Sequence, residues 1–119
     1  DLPLDAARRI APELILGASS HNLDEALAAQ DAGASYVNIG PIFPTQTKSV
    51  ATGAVGPGMI DAIRPSLRVP FTCMGGIKLE NIREVTARGA RHVAVVTAVT
   101  AAPDPHAAAA ALRAAIHET

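Results

Sequence analysis

Aromatic residues are nearly absent from this chain: it has no tryptophan, and Tyr36, Phe43 and Phe71 are its whole complement. Stacking of nucleobases therefore has almost no platform. A surplus of either charge is missing as well. Lys and Arg number 10 against 11 Asp and Glu, and no basic run exceeds two residues, so the footprint that neutralises a phosphate backbone is lacking and nucleic acid is not expected as a partner. Cys73 is the single cysteine, which rules out an internal disulfide and fits a reducing compartment. Long hydrophobic runs are missing too. The longest are strand-sized or Ala-rich and broken by charge, so no membrane partner and a cytoplasmic location are expected. What remains is a chain of 119 residues, long enough for one domain with a true core, taken as residues 1–119. Its opening, Asp1-Leu2-Pro3, reads as the interior of a longer sequence, so a fragment or processed product is expected.

Alternation is the main positive signal. Short β-rich runs at Leu14–Gly17, Tyr36–Gly40, Val69–Met74 and His92–Val96 alternate with segments whose apolar residues recur at helical spacing, a pattern that implies parallel strands. Strands are accordingly expected near 14–19, 35–40, 70–75 and 92–97, with helices on one face. Asn22 with Glu25 reads as a helix N-cap with its capping-box acid, and Gly33 as the left-handed stop. Pro57 suits the first turn of a helix through Ile60 and Ile63 that should end before Pro65. Leu79 to Val85 makes a further helix closed by Gly89, and Asp104-Pro105 opens the last. A partial helix from Pro3 to about Ala11 comes first. Four βα units are half of a (β/α)₈ barrel, whose usual size is about 250 residues. A small doubly wound sheet is the alternative, although the long loop after Gly40 and the pair Gly75-Gly76 at a strand end suit a barrel's active face better.

Two stretches carry chemistry. The Gly75-Gly76-Ile77 turn and the end of the next strand at Val96-Thr97 bring bare amides to where barrels often hold phosphate; close helix packing is the other use for such glycines. Gly40-Pro41-Ile42-Phe43-Pro44-Thr45-Gln46-Thr47-Lys48 leaves a strand through two prolines and presents hydroxyls, amides and an ammonium, donors suited to phosphate oxygens. A solvated turn would also contain such residues. His21 follows Ser19 closely but shows no acid partner in the sequence, His92, His106 and His117 make no metal-binding spacing, and Cys73 reads as a small core residue.

These strings, with Gly17-Ala18-Ser19-Ser20-His21 and Val95-Val96-Thr97-Ala98, resemble the thiamine-phosphate synthase family in order and separation, over essentially the whole chain. The resemblance implies an α/β fold of the TIM (β/α)₈-barrel family, of which this chain is the C-terminal half, with its strands the fifth to eighth. It implies a transferase that joins a pyrimidine diphosphate to a thiazole phosphate, giving thiamine phosphate and diphosphate. Carried onto this sequence, Asp1 is the aspartate that binds Mg²⁺, the implied cofactor. Ser19 contacts the diphosphate, and Lys48 meets it as it leaves; these two are the catalytic candidates. Thr45, Gln46, Thr47, Gly76, Val96 and Thr97 complete the substrate-binding set, with Thr97 where the family commonly has serine.

In the reaction so implied the pyrimidine diphosphate ionises and the thiazole nitrogen attacks the resulting cation, so no protein nucleophile is required. The family's first half supplies further basic residues and a second acidic Mg²⁺ ligand, and this chain alone is expected to be inactive. Two other readings stand beside the synthase: a thiazole tautomerase on the same barrel, and a non-catalytic phosphate-binding half-barrel. The intact Thr45-Gln46-Thr47-Lys48 string favours the synthase. Small-molecule substrates are the implied partners. Because half a barrel is expected to expose an apolar inner face, through residues among Ile15, Val37, Ile39, Phe71, Val93 and Val95, association with a second copy or with the missing N-terminal half is expected too.

Overall fold

The computed structural model describes residues 2–45 and 53–118. Helix α1 (Leu4–Ile10) is followed by β1 (Gly17–Ser20), α2 (Leu23–Asp31), β2 (Tyr36–Ile39), α3 (Gly58–Ile63) with a 3₁₀ turn at Arg64–Ser66, β3 (Phe71–Met74), α4 (Arg83–Thr86), β4 (Val93–Ala94), α5 (Thr97–Thr100) and α6 (Pro105–His117). The four strands form one sheet in the order β1-β2-β3-β4, and all three pairings are parallel. The expected βα alternation and parallel sheet are therefore present. No helix among the described residues is long and apolar enough to cross a membrane.

Register explains where the core sits. Parallel partners share a face, so the lines Ala18–Val37–Phe71 and Ser20–Ile39–Cys73–Val93 belong to one side. Val37, Ile39 and Cys73 there are wholly buried. Ile39 and Cys73 join Ala26 of α2, Ile60 and Ile63 of α3, Val85 of α4 and Leu112 and Ala115 of α6 in one cluster. The opposite side carries Ser19, Asn38 and Thr72 in one line and Met74 with Ala94 in the next. Here the sequence expectation is corrected: Val37, Ile39, Phe71 and Val93 are the helix-covered set, and the other face is polar to mixed. Ile15 is 80% exposed and lies outside the strand. An apolar inner face is thus not a reason for this sheet to associate.

Several element boundaries also differ from the sequence reading, each for a local reason. The apolar run Leu14–Leu16 does not begin β1. The Leu14 carbonyl is taken by Arg8 Nη1 at 2.7 Å, and the Leu16 amide donates to Ser35 Oγ at 3.0 Å, so these groups are committed before the ladder starts. Helix α3 does end at Ile63, before Pro65 as read, and Pro65 sits within the first positions of the 3₁₀ turn that follows, where no N–H is needed. The helix expected from Leu79 shrinks to α4. Asn81 bonds backward, accepting from the Lys78 amide at 2.8 Å and donating to the Gly76 carbonyl at 3.0 Å, which holds 78–82 as turns. Strand β4 is two residues long, and Thr97 opens the short helix α5 instead of extending the strand. The caps of the longer helices are as read: Asn22 Oδ1 accepts from the Glu25 amide at 2.8 Å, and Asp104 Oδ1 from the Ala107 amide at 3.1 Å.

Candidate functional site

Because all strands run the same way, their C-terminal ends open on one side, and a cavity of about 330 Å³ lies there. That volume is at the small end of ligand pockets. Ser19, Ser20 and His21 form its wall at the end of β1; Asn38, Gly40, Pro41 and Thr45 come from β2 and its loop; Met74 to Ile77 follow β3, and Ala94 to Thr97 follow β4.

The loop after β2 is anchored at its base. Ile42 and Phe43 donate from their amides to the carbonyls of Met74 and Gly75 at 2.9 and 3.0 Å, continuing the β2–β3 pairing beyond the strands. On the other side Val55 and Gly56 donate to Pro41 and Ile42 at 2.8 and 2.9 Å, so the chain returns to the point it left. The Gly40–Pro41 peptide is cis. Such close approach demands the glycines it meets. Gly75 and Gly76 have φ of 101° and 66°, and a Cβ on Gly76 would stand 2.5 Å from the Pro44 carbonyl oxygen.

At the β3–β4 end of the cavity, the amides of Gly76, Val96 and Thr97 donate no hydrogen bond among the described residues. Unpaired N–H groups on residues that border one cavity are the kind of donor an anion's oxygens require. Of the site residues expected from sequence, Ser19, Thr45, Gly76, Val96 and Thr97 all line the cavity. Asp1, Gln46, Thr47 and Lys48 lie outside the described residues.

Asn38, which the sequence reading passed over, and His21, which it read as lacking an acid partner, are wall residues as well. Asn38 is mid-strand and accepts at Oδ1 from Thr72 Oγ1 on the neighbouring strand. The signal was a polar residue set between Val37 and Ile39, which points to the face away from the core. His21 does have an acid partner: Glu25 Oε1 accepts from its Nδ1 at 2.8 Å and from its amide at 2.9 Å. The capping-box reading of Glu25 is corrected by one residue, since the carboxylate reaches His21 and not the Asn22 amide. The hydrogen bond from the His21 ring, seconded by that from its amide, holds the Glu25 carboxyl below its ordinary value. Burial pushes the Cys73 thiol up to about 12, and this thiol faces the helices, away from the cavity. Among the described residues no three His, Cys, Asp or Glu side chains come together as a metal site.

Comparison with known proteins bears on all of this. A family model described as thiamine monophosphate synthase matches residues 1–99. The thiamine-phosphate synthase of Methanospirillum hungatei is 47% identical over 105 residues, which are 87% of this chain and 51% of that protein. That of Shouchella clausii is 43% identical over 119 residues, covering 99% of this chain and 57% of that one. Among solved structures, thiamine phosphate pyrophosphorylase from Pyrococcus furiosus superposes with a TM-score of 0.90 at 38% identity, over 99% of this chain and 56% of its own. The chain spans about half the length of the curated relatives it matches.

Proposed function

The chain belongs to the thiamine monophosphate synthase family, and from that premise we propose that its cavity is the phosphate-holding part of a transferase that joins a pyrimidine diphosphate to a thiazole phosphate. The observation that carries the reading is the pocket at the strand C-termini. It has unpaired amides of Gly76, Val96 and Thr97 at one end and Ser19 at the other. The amide end suits the thiazole phosphate, and Thr45, which lines the cavity, is assigned to it together with Gln46 and Thr47. The β1 end suits the diphosphate. In this reading the methylene–oxygen bond of the pyrimidine diphosphate breaks with its electron pair going to diphosphate, and the thiazole nitrogen lone pair then forms the new bond to carbon. The protein's task is to hold both partners in line and to neutralise charge that grows on the leaving oxygens. Lys48 is assigned that task and Ser19 a hydroxyl contact.

Magnesium remains part of the proposal only as a bound ion's general contribution, positive charge on the leaving diphosphate. Asp1, outside the described residues, is assigned one carboxylate towards such an ion, and the second acidic ligand is expected from the family's first half. A barrel completed by further strands, paired along the edges β1 and β4, is the architecture this reading favours; a second copy of the chain is the other way to cover those edges.

Two measurements test it. Thiazole phosphate added to the protein should shift the amide resonances of Gly76, Val96 and Thr97 ahead of those on α2 and α6; shifts confined to other regions would refute the assignment of the phosphate end. Incubation of this chain joined to the N-terminal half that its relatives carry, with both substrates and magnesium and with thiamine phosphate quantified, tests the transferase reading itself; no thiamine phosphate formed would refute it.

A further inference from the structure

Among the described residues of the cavity wall, His21 is the one side chain that exists in a neutral and a charged form; the others are hydroxyls, one amide, a thioether and apolar groups. Its position is not left to chance. Glu25 sits at the third position of α2, its amide held by the Asn22 cap at 2.8 Å, and its Oε1 receives both the His21 amide and Nδ1. A carboxylate on Nδ1 keeps the proton on that nitrogen, which leaves Nε2 as the ring's second hydrogen-bonding atom. No described residue bonds Nε2.

We propose that His21, oriented by Glu25, is a proton-gated contact to phosphoryl oxygens at the β1 end of the cavity. This rests on the diphosphate reading given above and deepens it. Neutral, the ring has a lone pair at Nε2 and cannot donate there to an anion; protonated, the same atom becomes a charged donor. Binding is then coupled to the uptake of one proton. Glu25 stays ionised as the partner of the imidazolium, and no bond other than N–H is made or broken. The site is separate from the amide cluster: neighbouring strands lie ~4.8 Å apart, so His21, just past the end of β1, stands roughly 10–14 Å from the Gly76 and Thr97 amides, which follow β3 and β4. Two anions can therefore be held at once, one at each end. Of the charged groups near the ring, Glu25 is bonded to it, Asp24 is exposed in the same first turn, and β1, β2 and β3 bring no ionisable side chain to the wall. Lys48 lies outside the described residues.

The test uses magnesium-free inorganic diphosphate and calorimetry at pH 6 and pH 8.5, in two buffers of different ionisation heat. The protein as it stands is compared with His21→Gln, which keeps a neutral donor near the Nε2 position, with Glu25→Gln, and with His92→Gln as a control outside the cavity. At pH 6 the unaltered protein should take up a proton on binding, and His21→Gln should bind about fivefold more weakly without uptake, because a charge-assisted bond is about twice as strong as a neutral one. Glu25→Gln should fall between the two. At pH 8.5 His92→Gln should match the unaltered protein, Glu25→Gln should come close to it, and His21→Gln, whose amide still donates, should bind at least as tightly. The same affinity ratio at both pH values, or proton uptake that survives His21→Gln, overturns the proposal while leaving the diphosphate reading intact. Absence of any diphosphate binding overturns both, and thiazole phosphate binding measured alongside shows whether the amide end survives them. Circular dichroism of each variant separates these outcomes from loss of folding.

Discussion

A methyl group on Gly75 would stand 2.5 Å from the Cα of Pro41, and the Gly75 backbone lies at φ 101°. Two segments separated in sequence by most of a βα unit thus meet without room for a side chain between them. This contact sets the floor of the cavity, since both residues line it.

Gly75→Ala should therefore lower stability by at least about 2 kcal/mol, the positive-φ penalty adding to the clash. Gly58→Ala is the matched control: a Cβ there meets nothing within 4 Å, and α3 begins at that residue, so the change should be neutral or stabilising by up to about 0.5 kcal/mol. Urea unfolding midpoints of the two variants decide it. Equal midpoints would show that the loop yields to Gly75's new side chain.

Asp104→Ala should cost about 1 kcal/mol, because the Ala107 amide loses its acceptor at the start of α6. Asp104→Asn should restore most of the loss. Thermal melting of the three proteins is sufficient, and the effect matters to the core because α6 buries Leu112 and Ala115.

Ile39→Ala should be the severest of these changes, about 2–5 kcal/mol, since Ile39 is 0% exposed and sits between the sheet and the helices. Leu14→Ala, at a residue 53% exposed, should stay within about 0.5 kcal/mol. Chemical denaturation measures both, and an Ile39→Ala loss no larger than that of Leu14→Ala would mean that the Ile39 face of the sheet is not the covered one.

Cys73 is buried and its thiol ionises only near pH 12, against 9.0 in the open. Native protein at pH 8 should leave a disulfide reagent unreacted until denaturant is added. The raised value favours the neutral thiol in the folded state, so its contribution is fully present below pH 9.0 and is lost as the pH rises from there towards 12. Cys73→Ala should flatten that alkaline loss; an alkaline limb of unchanged slope would assign it to other groups.

Much of this was legible in the chain before any coordinates. The order of βα units, the parallel sheet and the caps at Asn22 and Asp104 are local matters: they follow from period, turn chemistry and backbone conformation within a few residues. The resemblance rested on the same strings, and family membership agrees with it. What local signals misjudged was commitment of hydrogen bonds over distance. Leu14–Leu16 looks like a strand, yet Arg8 and Ser35 claim its polar groups. Leu79–Val85 looks like a helix, yet Asn81 turns its start back on Gly76.

Tertiary structure alone decided which face of the sheet is apolar and what surrounds the cavity. Alternation says that Val37 and Ile39 share a side, but only the register against Phe71 and Cys73 and the packing of α2, α3, α4 and α6 show that this side is covered. It follows that Ser19, Asn38 and Thr72 occupy the other. The pairing of His21 with Glu25 is local in sequence, four residues apart, and was hidden because a capping-box acid and a histidine partner read alike until the carboxylate's direction is known. A sequence determines which groups seek partners; the partner each one finds depends on how far apart the folded chain leaves them.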